Sequence, residues 1–227
     1  MTLYAIIVAG GSGSRMGVSI PKQFLPIHEK PILVYTIERF LEYSADIQII
    51  LCLPQDQFEQ WHAIKALAPS LAKAAIQETP GGATRFQSVR NGLAQIQGEG
   101  LVAVHDGVRP FVPVEVIAKS FDTAREKGSG VVAVAAKDSI RQVITDTENK
   151  ALDRASLRLV QTPQTFQVSL LKKAFEQAEN PLFTDDASVA EAAGFPIYLV
   201  DGSYENIKIT TPEDLIIAEA ILNRQES

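Results

Sequence analysis

The segment Gly10-Gly11-Ser12-Gly13-Ser14-Arg15-Met16-Gly17, with Lys22 following Pro21, carries residue types that could do phosphate chemistry. Small residues let backbone N–H groups approach a polyphosphate closely, and two cations beside them add charge stabilisation to binding. The spacing excludes two common phosphate loops. A dinucleotide fingerprint needs G-x-G-x-x-G, yet counting from Gly11 puts Met16 at the sixth position, and no register supplies the G-x-x-x-x-G-K-[ST] of a P-loop. A tight strand-to-helix turn with solvated charges would also look like this. No G-x-S-x-G elbow occurs, and the histidines show no serine and carboxylate partnership, so covalent catalysis is not expected.

The loop needs a scaffold that presents it at a strand end. Tyr4 to Ala9 reads as a buried strand running into the loop, which is where an open α/β sheet binds ligands. Pro31 opens a helix to Tyr43, Ile47 to Leu53 is a second strand, residues 56–68 are helical and Ala74 to Gln77 is a weak strand. Thr84-Arg85-Phe86-Gln87 predicts a capping box that starts a helix to Gln97. Leu101 to His105, ending at Asp106, is a further buried strand, followed by a helix at 114–127 and a strand from Val131 to Ala136. This alternation predicts an α/β fold, a single domain over 1–227 with a mostly parallel, Rossmann-like sheet flanked by helices.

The pattern breaks at 139–160. Arg141 to Thr145 and Lys150 to Leu152 flank the turn-prone Asp146 to Asn149, which predicts a protruding β-hairpin arm. An arm that cannot bury its own apolar face packs on something else, and a second copy makes it a dimerisation arm in a homodimer. Helices at 168–178 and 185–193, strands at 196–200 and 205–209, and a last helix capped at Thr211-Pro212 complete the expected order.

Composition narrows the function classes. The 227 residues are 46% hydrophobic and 21% charged, so disorder and coiled coil are poor readings. No stretch approaches the ~18 apolar residues of a membrane span. No Lys or Arg precedes the run Leu3 to Ala9, so a secretory signal is not expected and a cytoplasmic location is. Cys52 lies in a strand-like apolar run, and three scattered histidines offer no zinc spacing. The net charge of −6 (21 basic residues against 27 acidic) argues against nucleic-acid binding. A small anionic substrate remains compatible, because basic residues fall beside glycines and strand ends.

Further motifs follow in order: Gly81-Gly82-x-x-Arg85-x-x-Ser88, His105-Asp106-x-x-Arg109-Pro110, Asp153-Arg154, Gln161-Thr162-Pro163-Gln164, Thr184-Asp185-Asp186-Ala187-Ser188 and Asn206-Ile207-Lys208. With Ala9-Gly10-Gly11-x-Gly13-x-Arg15-Met16 and Pro21-Lys22-Gln23-Phe24, the chain resembles the sugar-phosphate and polyol-phosphate nucleotidyltransferases over nearly its whole length. Their fold is of the nucleotide-diphospho-sugar-transferase type, and the motif order is most similar to the CTP-using cytidylyltransferases.

The resemblance implies attack of a phosphate monoester on the α-phosphorus of CTP, giving a CDP-alcohol and pyrophosphate. Such a nucleophile is already largely dianionic at neutral pH, with a second pKa of about 6. It assigns charge stabilisation to Arg15 and Lys22, and placement of the acceptor phosphate to Arg154 and Lys208; on the residues alone, the last two also fit ordinary surface cations. Ala9, Gly10, Gly11, Gly13, Gly82, Ser88 and Asp106 are the expected nucleotide site, although Gly81 and Gly82 also suit a turn before the helix at Thr84.

Arg109, Ser139 and Thr184 are the implied acceptor site, partly from a neighbouring subunit, with Ser139 where many relatives have Thr. Thr184 also suits an N-cap, and Asp185 and Asp186 suit a first helical turn. Mg²⁺ with CTP is the implied cofactor, touched by Asp106 directly or through water, with its protein ligands otherwise unassigned. Asp153-Arg154 and the Thr184 block favour methylerythritol 4-phosphate as acceptor over ribitol 5-phosphate. A dinucleotide-dependent oxidoreductase and a catalytically silent nucleotide-binding module are the readings from other classes.

Overall fold

Apolar runs such as Tyr4 to Ile7 and Ile49 to Leu53 alternate with nothing polar, so they require burial on both faces. The computed structural model, which describes residues 1–10 and 20–226, provides it. In chain order its elements are β1 (Thr2–Val8), a short hairpin β2 (Pro26–Ile27) and β3 (Lys30–Pro31), α1 (Ile32–Tyr43), β4 (Gln48–Leu53), α2 (Phe58–Ala66), β5 (Ile76–Pro80), α3 (Arg85–Gln95) and β6 (Gly100–Asp106). There follow α4 (Val114–Lys127), β7 (Ser129–Ala135), β8 (Ile140–Val143), β9 (Asn149–Leu152), β10 (Arg158–Gln167), α5 (Val168–Ala174), α6 (Asp186–Ala192), β11 (Leu199–Asp201) and α7 (Pro212–Glu226).

The main sheet has the order β11-β7-β10-β6-β1-β4-β5, and every neighbouring pair is parallel except those made by β10. Successive residues of β1 point to opposite layers. Ala5 and Ile7 pack with α1, Trp61 of α2 and Phe121 of α4, while Tyr4 and Ile6 pack with α3, α5 and α6. A third cluster seats α7 on the β2/β3 hairpin and the chain at Val108 and Phe111. The arm is present: β8 and β9 pair only with each other, outside the main sheet. Cys52 is fully buried in β4, where burial pushes its thiol up to about 12.

The structure departs from the expected order at several points. The strand β10 was absent from the pattern, because Gln161-Thr162-Pro163-Gln164 is polar where a central strand should be apolar. Its pairing with β7 jumps from Val160 opposite Ala133 to Gln164 opposite Val131, a bulge that turns the polar run toward the strand ends. The strand expected at 205–209 is irregular chain, tied by the Ile209 N–H to the Val108 carbonyl at 3.0 Å, and β11 starts only at Leu199. The capping box at Thr84 is half made: Thr84 Oγ1 accepts from Gln87 N, but Gln87 Oε1 accepts from Ala83 N. At α6 the N-cap is Asp185 rather than Thr184, in a full capping box with Ser188.

Candidate active site at the carboxyl ends of the strands

From β1 the chain runs outward to β4 and β5 on one side and then crosses back to β6 on the other, so the carboxyl ends of β1 and β6 form the switch point of the sheet. Val8 and Asp106 are partners there. A cavity of about 370 Å³ opens above them, lined by Ala9, Gly10, Lys22, Gly82, Arg85 and Ser88 among others. Beside it lies a polar cavity of about 240 Å³, lined by Arg109, Gln161, Thr162, Gln164, Thr184 and Asp185. Arg85, Asp106 and Lys208 line both cavities, so they form the wall between them.

Asp106 is the centre of that wall. Its side chain is 10% exposed, and three cations converge on it: Lys208 Nζ at 3.0 Å and Arg109 Nε at 3.2 Å on Oδ2, and Arg85 Nε at 3.6 Å facing Oδ1. Burial alone would push this carboxyl up, yet Arg85, Lys208 and Arg109 together hold it well below the usual carboxylate range. One carboxylate thus gathers three positive charges and leaves the wall net cationic, which suits two phosphate groups. The neighbouring His105 is fully buried, and that burial lowers it to about 4, so its ring is neutral at physiological pH.

Each cation arrives on a separate, braced segment. The turn after β6 closes by Arg109 N donating to Asp106 O, while Gly107 N donates to Val8 O and Thr36 Oγ1 donates to Gly107 O. The bulge of β10 supplies a polar brace: Thr162 Oγ1 accepts from Asp106 N, and Thr162 O and Gln161 Oε1 accept from Asn206 Nδ2. Asn206 O in turn accepts from Arg109 Nη1 at 2.8 Å. Two residues on, Lys208 is followed by the buried Ile209, which anchors the segment in the α7 cluster. Thr162, Gln161 and Asn206 therefore hold Asp106 and Arg109 in one geometry and fix the backbone that carries Lys208.

Arg85, quoted in a motif but given no role by sequence reasoning, is a second junction. Its Nη1 and Nη2 donate to the two oxygens of Asp186 at 2.9 and 2.6 Å, and Asp186 is fully buried. Burial pushes the Asp186 carboxyl up and the guanidinium works against that. Asp186 is thus committed to Arg85 and does not face a ligand. Next to it Asp185 caps α6 and accepts from Gln164 Nε2, while Gln164 Oε1 accepts from Ala187 N. The missed signal was an arginine one residue inside a helix start, paired with an acid about a hundred residues away; only the fold joins them.

On the nucleotide side, both readings of the glycine pair hold together. Gly82 N donates to Ser88 Oγ, which donates to Thr84 O, so the turn and α3 are laced to each other. A Cβ on Gly82 would lie 2.2 Å from that of Gln87, so this position needs glycine to let α3 approach.

Of the expected residues, Ala9, Gly10, Lys22, Gly82, Ser88, Asp106 and Lys208 line the first cavity, and Arg109, Thr184, Asp106 and Lys208 the second. Ser139 and Arg154 do not join them: both are exposed on the arm, where Arg154 Nη1 donates to Lys137 O. Gly11, Gly13 and Arg15 lie outside the described residues. Among the described residues no group of three or more His, Cys, Asp or Glu could hold a metal by itself.

The family model for 2-C-methyl-D-erythritol 4-phosphate cytidylyltransferase matches residues 3–224. Proteins of that description from Bacteroides thetaiotaomicron and Bacteroides fragilis are 48% and 49% identical to the chain, each over 96% of it and 98% of the relative. Among solved structures, 4-diphosphocytidyl-2C-methyl-D-erythritol synthase from Anaerococcus prevotii superposes with a TM-score of 0.84 at 30% identity, covering 98% of this chain and 96% of that one. The cytidylyltransferase from Thermus thermophilus gives 0.76 at 29% identity, over 98% and 100%.

Because the folded state depresses the Asp106 pKa, its charge stabilises the fold fully above the ordinary carboxylate value of about 4 and progressively less below it. Asp106→Asn leaves Arg109 and Lys208 without their carboxylate and Arg85 with Asp186 alone, and is expected to cost on the order of 3 kcal/mol at pH 7. That deficit should shrink as pH falls below 4, measured by urea unfolding of both proteins; a gap that stays constant down to acid pH contradicts the assignment.

Proposed function

The chain belongs to the 2-C-methyl-D-erythritol 4-phosphate cytidylyltransferase family and transfers a cytidylyl group from CTP to 2-C-methyl-D-erythritol 4-phosphate with release of pyrophosphate, and from that premise we propose how its residues divide the work. The carrying observation is that two cavities share one cationic wall. CTP occupies the larger, with its base beside Gly82 and Ser88 and its phosphates toward Ala9, Gly10 and Lys22. The motif resemblance assigns Gly11, Gly13 and Arg15 to the same phosphates. The acceptor occupies the smaller cavity, beside Arg109 and Thr184, with its phosphate at Lys208.

Transfer then needs orientation and charge stabilisation more than acid–base chemistry. An acceptor phosphate oxygen attacks the α-phosphorus of CTP, and the bond from that phosphorus to the bridging oxygen breaks as pyrophosphate departs. Lys208 orients the attacking phosphate. Lys22 and Arg15 stabilise charge on the pentacoordinate phosphorus and the leaving pyrophosphate. No described side chain has to accept a proton from the dianionic nucleophile, and the neutral, buried His105 is consistent with that.

The residues fit Mg²⁺ bound with the nucleotide. Asp106 is the one acidic residue among the described lining of the larger cavity, and its Oδ1 has Arg85 Nε at 3.6 Å as its nearest ion-pair partner. A magnesium that keeps several waters and takes ligands from phosphates needs few protein carboxylates. Asp106 Oδ1, with Arg85 kept beside it, would hold it through water, and the ion would neutralise charge across the triphosphate.

Ser139 and Arg154 fit the acceptor site of a neighbouring copy. They sit on an arm whose hairpin leaves Val143 74% exposed and Ile144 53% exposed, a face that a second subunit would cover. The functional unit is accordingly a homodimer with small-molecule substrates and no nucleic-acid partner. The expected cytoplasmic location stays part of this reading.

Pyrophosphate release from CTP and Mg²⁺ should be strong with 2-C-methyl-D-erythritol 4-phosphate and weak with ribitol 5-phosphate, and Lys22→Ala and Lys208→Ala should each lower kcat by roughly 10²–10³ with the fold intact. Near-normal turnover in either variant removes its assigned role. Mixing Lys208→Ala with Arg154→Ala chains under subunit exchange should restore about a quarter of wild-type sites, because one site of each hybrid dimer regains both cations. Failure to restore activity in verified hybrids would show that Arg154 serves its own chain or none.

A further inference from the structure

We propose that Arg85 is a positioning residue for this transfer: a standing counterion to Asp106 that leaves Lys208 available to move from the carboxylate onto the acceptor's phosphate. The inference rests on the reading of Lys208 given above. Three cations share Asp106, but they are not equivalent. Arg109 is tied by Nη1 to Asn206 O, and its side chain is 13% exposed. Arg85 is tied by both Nη atoms to Asp186 and is 26% exposed. Lys208 is 41% exposed, pairs with Asp106 at 3.0 Å, and lines both cavities. It is the cation built to move.

Moving it has a consequence for Asp106. A carboxylate that is nine-tenths buried cannot be left without compensation, so its remaining partners decide how readily it releases the ammonium. Arg85 supplies that compensation on Oδ1, the oxygen that Lys208 does not use. The guanidinium presents a bidentate fork to Asp186 and its Nε edge to Asp106, a division that a lysine could not reproduce. Asp186 locks the plane of the guanidinium, and the two acids together occupy its charge. Arg85 therefore does not compete with Lys208 for the incoming phosphate.

A structural role alone would be to neutralise Asp186, and a paired substitution separates the two. Arg85→Gln with Asp186→Asn removes the buried pair without stranding a charge. The proposal expects this double variant to keep a thermal midpoint near wild type and a KM for CTP within about threefold, while the KM for the acceptor rises about tenfold or more and kcat falls. Asp186→Asn alone leaves an amide oxygen to accept from Arg85 Nη1, which keeps the guanidinium beside Asp106, and should hold the acceptor KM within about threefold; that keeps the test open if the double variant unfolds. Wild-type acceptor kinetics in the double variant, or a tenfold rise in Asp186→Asn alone, overturns the proposal. Lys208→Ala, measured in parallel, distinguishes the underlying reading: an unchanged acceptor KM there refutes the role of Lys208 itself.

Discussion

A buried carboxylate stays ionised only where cations meet it, and at Asp106 that requirement organises the site. Its three partners come from α3, from the turn after β6 and from the segment after β11, so satisfying one charge draws α3 and the segment after β11 to the turn that follows β6. With Arg85 shared with Asp186, three cations meet two carboxylates, and the excess is the positive field in which two anionic substrates can be brought together. Removing the acid would loosen the cations along with the charge they balance.

The antiparallel strand is what makes this convergence possible. An all-parallel sheet offers only its carboxyl ends to the switch point, whereas β10 runs the other way and lays its polar bulge beside Asp106. Gln161, Thr162 and Gln164 then brace the β6 turn, the Asn206 segment and the cap of α6 at once. A polar run costs strand propensity, and the site recovers that cost as fixed side-chain geometry.

This division explains what the sequence made legible. Strands β1, β4 and β6 are continuous apolar runs buried on both faces, so their existence and order could be read directly. The arm was legible from its turn chemistry. β10 was hidden because its polar residues serve the site rather than the core, and the Asp185 cap because Thr184 stands next to an equally good capping residue. Lys22, Asp106 and Lys208, expected from motif order, line the larger cavity. Arg85 was not given a role, since its importance lies in touching two acids at positions 106 and 186, a relation that no local pattern contains.

The most direct test of the shared cationic wall is a crystal structure with a non-hydrolysable CTP analogue and the acceptor bound. The account predicts the Lys208 ammonium on the acceptor's phosphate, with Asp106 still held by Arg85 and Arg109. A Lys208 that remains on Asp106 while the phosphate is bound by other groups would contradict it.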